Sequence, residues 1–149
     1  MIRFKNVSLL WMAFTLVGCG DSVPPPPKED LVPVSGIVKI GGKPVAGVAV
    51  AFVPSGSTTG QGSTGVTDDA GKYELKHSAT QKPGIPVGDY MAQLTKYVLP
   101  DGSPLPPDTA PHMVNAKNLI PRSWMERGDG GKILKVPAGG TTFDFDVPE

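Results

Sequence analysis

One cysteine and two histidines are all that this 149-residue chain offers of thiol and imidazole, the side chains that most often hold zinc. A single cysteine excludes an internal disulfide, so cysteine usage alone does not place the chain in an oxidising compartment. The histidines, His77 and His112, exclude a zinc-peptidase signature. Neither belongs to H-E-x-x-H, and the residues three positions on are Thr80 and Asn115 instead of a glutamate. An excess of either charge is lacking too. Fourteen basic residues balance 14 acidic ones, which argues against nucleic acid as a partner, since a phosphate backbone calls for a basic surplus. The apolar run from Val7 to Val17 has 11 residues, too short for a bilayer-spanning helix of about 20. There is no G-x-S-x-G nucleophile elbow. GQGSTG (60–65) precedes neither a lysine nor a helix, so it is no phosphate loop.

What the chain does have is glycine (19) and proline (17), together about a quarter of its residues. Valine, leucine, isoleucine and aromatics are spread among them with a period of two. That combination predicts a turn-rich β domain with long loops. The length suits one domain with a modest core.

The lone cysteine has a particular setting. Arg3 and Lys5 open the chain without an acid, the apolar run follows, and Leu16-Val17-Gly18-Cys19 ends it. A basic start, a short apolar core and small residues make a secretory signal. LVGC resembles the lipobox of bacterial lipoproteins. The resemblance implies cleavage between Gly18 and Cys19, a diacylglyceryl group on the Cys19 sulfur, and acylation of the new amino group. Membrane lipid would then be a partner, because two or more acyl chains anchor stably where one does not. An aspartate directly after the cysteine favours the inner membrane in lipoprotein sorting. Here Asp21 stands one place later, and inner and outer membrane both stay open. Removal of residues 1–18 takes away Arg3 and Lys5 and leaves a mildly acidic head of 12 basic and 14 acidic residues.

Residues 19–31 read as a tether. Pro24 to Pro27 favour extended polyproline II, and eleven such residues reach on the order of 30 Å. The domain follows at 32–149. Val32, Val34, Gly36, Val38 and Ile40 share one strand face, and GGKPVAG turns the chain. Val48, Val50 and Phe52 alternate with Ala49, Ala51 and Val53, a strand able to bury both faces. DDAG (68–71) is a tight turn, joining a strand at 65–67 to KYELKH in a hairpin with Tyr73 and Leu75 inward. Tyr90, Ala92 and Leu94 form a further buried face. KILKV and TFDFDV flank a turn at Gly139-Gly140 as a final hairpin. About seven strands and no convincing amphipathic helix predict an all-β, antiparallel seven-stranded β-sandwich. Residues 98–131 break the pattern with six prolines, as a functional or mobile loop would. Within it NLIPRSWM (118–125) predicts one helical turn with Ile120 and Trp124 as apolar anchors.

Four strings carry a family resemblance: Val34/Gly36/Val38, then Gly42/Lys43/Pro44/Val45/Gly47, then Thr67/Asp68/Gly71/Tyr73, then Pro86/Gly88/Tyr90. Their order and spacing over 32–147 resemble the carboxypeptidase regulatory-like domain. That family implies a transthyretin-like sandwich, also close to Ig-like modules, and a non-catalytic role as accessory or stalk. The same fold includes 5-hydroxyisourate hydrolase, whose family ends in a Tyr-Arg-Gly-Ser-type tail. This chain ends FDFDVPE and departs from it.

No catalytic set, cofactor or metal site emerges from the residues. Asp68 and Asp69 fall short of the six or so oxygens of a calcium site and suit a turn better. Asp144 and Asp146 read as a solvated strand face, and His77 and His112 as solvated side chains. Tyr97 and Trp124 are the candidate ligand-binding pair, by stacking on a sugar, set against Trp124 packing on the edge of the core. The expectation is a lipid-anchored, non-enzymatic module of the bacterial cell envelope with a structural or protein-interaction role. The alternative is a glycan- or peptide-binding surface lipoprotein.

Overall fold

The computed structural model describes residues 30–106, 108–126 and 133–148. The signal, Gly18, Cys19 and all of the tether but its last two residues lie outside them. The described chain is all-β apart from two short turns of helix. In order, the strands begin with β1 (Leu31–Val32), β2 (Val34–Ile40), β3 (Lys43–Pro44), β4 (Ala49–Pro54) and β5 (Ser63–Val66). Next come β6 (Lys72–Glu74), β7 (Lys76–His77), β8 (Ile85–Pro86), β9 (Gly88–Thr95) and β10 (Tyr97–Val98). A 3-10 turn (Pro111–Met113), β11 (Lys117–Asn118), α1 (Arg122–Glu126), β12 (Leu134–Val136), β13 (Thr141–Thr142) and β14 (Phe145–Val147) complete the list.

Two five-stranded sheets share one core in a sandwich-like arrangement. One has the order β12-β9-β4-β5-β7; the other is centred on β2, with β13, β14, β3 and β6 around it. Two ribbons, β1-β8 and β10-β11, are separate from them. The seven expected strands are thus more finely divided. Strands break where the chain passes between sheets. After the DDAG turn, β6 pairs with β2, whereas β5 pairs with β4 and β7. The expected hairpin over that turn is therefore split between the two sheets, although the turn itself forms, with Gly71 N–H donating to the Asp68 carbonyl at 2.9 Å.

The alternating faces are buried as read. Val34 and Val38 of β2, and Tyr90, Ala92 and Leu94 of β9, all point into the core. β4 buries one face only: Val50 and Phe52 are inside, whereas Ala49 is exposed. Its alanines lie on the open side of the sheet, where small side chains cost nothing to solvate. Between β2 and β3, Gly41 and Gly42 both have positive φ (57° and 77°), as a two-residue hairpin turn requires.

The final hairpin does not form. Gly140 turns the chain, with φ 76°, but β12 goes to β9, while β13 and β14 run parallel to β2. This parallel edge corrects the all-antiparallel expectation. Thr141 pairs with Val34 and Phe145 with Val38, so the register is unbroken across the gap between β13 and β14. In that gap Phe143 N–H donates to the Ser35 carbonyl at 2.9 Å. A regular parallel ladder would return the Phe143 carbonyl to Ile37 N–H. Instead Tyr73 O–H donates to that carbonyl at 2.8 Å, and the Asp144 carboxylate accepts Ile37 N–H at 2.8 Å. Gly36 permits the substitution. A β-carbon there would lie 1.8 Å from the Phe143 carbonyl oxygen and 2.9 Å from the Tyr73 ring. The next residue along, Phe145, sits at the centre of the core aromatics, 6.3 Å from Phe52, 6.2 Å from Tyr73 and 6.1 Å from Trp124 between ring centres.

Candidate functional site

β9 ends at Thr95, and the long proline-rich segment begins two residues later. Its base is the β10-β11 ribbon, which pairs Tyr97 with Asn118 and Val98 with Lys117. Asn118 fastens it. Its side-chain oxygen accepts both Lys96 N–H and Ile120 N–H at 3.0 Å, and Leu119 N–H donates to the Lys96 carbonyl at 2.8 Å. The Lys96 ammonium reaches the Ala46 carbonyl and ties the ribbon to the sheet. Further out, Ser103 donates to the Asp101 carboxylate through its N–H and, at 2.6 Å, its hydroxyl. Those bonds, the hydroxyl's first, hold the Asp101 carboxyl below its ordinary pKa. Hydrogen bonds thus close the described part of the segment at the β10-β11 ribbon, a common setting for recognition.

The return path of the loop makes a shallow, open depression of about 650 Å³, lined by Tyr97, Pro111, His112, Asn115 and Ala116. Ala116 N–H donates to the Pro111 carbonyl at 3.0 Å and curls the segment. Asn115 makes the bend with φ 51°, a conformation asparagine tolerates better than most residues. His112 and Asn115 are exposed, and Tyr97 is half-buried.

Trp124 is not part of that depression. It lies in α1, is 8 % exposed, and sets its ring edge-to-face on Phe145 at 83°. Ile120 beside it is buried as well. The structure therefore does not bring the two candidate stacking residues to one surface. The reason is local: Pro121 opens a single helical turn, and the apolar spacing from Ile120 to Trp124 faces the core. Trp124 joins the packing, and Tyr97 alone of the pair faces a hollow.

The other candidates have structural partners. His77 corrects the expectation of a solvated ring. It is 7 % exposed, with Nδ1 3.2 Å from the Thr80 hydroxyl. The alternation that buries Tyr73 and Leu75 carries it inward, a signal legible in KYELKH. Ser63, its partner across β5 and β7, is also buried, and its hydroxyl donates to the Gly84 carbonyl at 3.0 Å. Asp68 accepts Ala70 and Lys72 N–H, both at 2.9 Å, as a turn aspartate does. Asp146 accepts Gly42 N–H at 3.1 Å, so Asp144 and Asp146, though exposed, serve the backbone of β2 and its turn. Among the described residues no three histidine, cysteine or acidic side chains gather as metal ligands. No described helix is long and apolar enough to cross a membrane.

Comparison with family models, curated proteins and solved structures returned no match. The resemblance to the carboxypeptidase regulatory-like domain accordingly rests on the four motifs alone.

Proposed function

We propose that the chain is a lipid-anchored, non-catalytic module of the bacterial cell envelope with a structural or protein-interaction role. The observation that carries this reading is LVGC at 16–19, placed after a basic start and a short apolar run and before four prolines. Cys19 is the lipidation site, cleavage falls between Gly18 and Cys19, and Pro24 to Pro27 space the β domain from the lipid. The fold of that domain is that of a transthyretin-like sandwich of the carboxypeptidase regulatory-like family. Support for this comes from where the motif residues fall: Gly42 in a hairpin turn, Asp68 and Gly71 in the tight turn, Tyr90 in the core. A non-catalytic role is supported by the employment of the polar side chains. Ser63, Asp68, Asp144 and Asp146 all bond the backbone, the work of a scaffold and not of a nucleophile or base.

The test is the intact mass of the protein extracted from membranes, beside Cys19→Ser. A chain that begins at Cys19 and carries acyl mass is the expected result. An uncleaved chain with a free thiol overturns the proposal. Partners are then sought by crosslinking at the envelope.

A further inference from the structure

We infer that the Tyr97 depression is a saccharide-binding subsite, taking a neutral pyranose unit. The inference goes beyond the structural or protein-interaction role proposed above and stands apart from the lipid anchor, and its test needs neither acylation nor a membrane. Two observations carry it.

The first is chemistry. The lining joins one aromatic residue and one proline to an imidazole and a carboxamide. A pyranose presents C–H groups on its faces and hydroxyls around its edge. An aromatic floor with hydrogen-bonding side chains at the rim matches both. No acid, lysine or arginine lines the depression, so a cationic ligand finds no counter-ion there and an anionic one finds at most the His112 imidazole.

The second is shape. The hollow is open and shallow, which suits one or two units of a chain-like polymer better than an enclosed small molecule. A proline-rich peptide is the nearest rival. Its recognition uses a groove lined by several aromatics, and Tyr97 is the single aromatic in this lining.

The experiment is a ¹H–¹⁵N titration of the full-length chain in detergent micelles. The probes are N-acetylglucosamine tetramer, cellotetraose and a decaproline peptide. For a shallow site without charge the expected Kd is on the order of 1 mM. The inference expects shifts from a saccharide confined to the amides of Tyr97 and residues 112–116. It also expects binding to weaken by about tenfold in Tyr97→Leu and in the His112→Ala/Asn115→Gly double variant. The double variant keeps the fold, since both residues are exposed and glycine adopts the φ of Asn115 freely. If Tyr97→Leu fails to fold, the double variant decides alone. Three results overturn the inference: no saccharide shift up to about ten times the expected Kd, shifts that persist in the double variant, or binding of decaproline in place of both sugars.

Discussion

Replacing Gly36 by alanine should be among the most damaging single changes in this domain, although it adds one methyl group. The added carbon would lie 1.8 Å from the Phe143 carbonyl oxygen, a backbone atom that no rotamer change moves aside. To restore even a tight contact of about 3 Å, β2 and the 141–147 edge must part by roughly 1 Å. Three hydrogen bonds lie at the clash itself: Phe143 N–H to Ser35, Tyr73 O–H to Phe143, and Ile37 N–H to Asp144. At about 1 kcal/mol each, their loss costs about 3 kcal/mol. Overpacking around Tyr73 and Phe145 adds about 1–2 kcal/mol more. The expected loss is therefore about 4–5 kcal/mol, comparable to the whole stability of a marginal domain. Guanidinium unfolding followed by circular dichroism measures it. A double-mutant cycle with Tyr73→Phe should give a coupling above about 0.5 kcal/mol, because both changes act on the same carbonyl. A loss below about 1 kcal/mol, or strict additivity with Tyr73→Phe, would refute the reasoning.

Three further outcomes follow from the same geometry. Burial first, and the nearby Asp144 charge second, push the Tyr73 pKa well above its ordinary value. The folded protein therefore keeps a proton that the unfolded chain releases, and this share of the stability, full below pH ~10, falls as pH rises above it. Tyr73→Phe should flatten that part of a denaturation-versus-pH curve and cost about 1–2 kcal/mol at neutral pH. Trp124→Ala should cost about 3–5 kcal/mol in thermal or chemical unfolding, since it empties a buried site against Phe145. Thr67→Val should cost about 2 kcal/mol by the same assays. The hydroxyl accepts Val48 N–H at 2.8 Å and donates to the Val45 carbonyl at 2.7 Å, and valine leaves both without a partner.

Which side is buried was legible in the sequence for most strands, β4 being the exception; most of the pairings were not. A period of two fixes a face, and Val34, Val38, Tyr90 and Leu94 obey it. The same period is satisfied whether Phe145 and Val147 pair with a neighbour or with a distant strand. Gly139-Gly140 looks like a hairpin turn, yet Pro33 draws the chain after it to β2, its carbonyl accepting Thr141 N–H at 3.1 Å. His77 lies in the inward-facing row of Tyr73 and Leu75, and that place outweighs its polar side chain. At the candidate site Tyr97 was visible as an unplaced aromatic, while its neighbours were not. His112 and Asn115 reach it through a bend at positive φ and a ribbon anchored by Asn118, neither of which leaves a periodic trace.

The parallel edge also has a consequence in time. β2 is made early, but its partner along that edge lies 107 residues further on. Contacts so far apart close slowly, because the loop entropy is lost before the contacts repay it. Phe145, where four core aromatics meet, arrives with that late segment. A growing chain thus carries Phe52, Tyr73 and Trp124 without the residue that joins them. Under the export route proposed above, a domain that lacks its closing segment until late in synthesis would stay open until it is threaded. β13 and β14, docking together on β2, would complete the core.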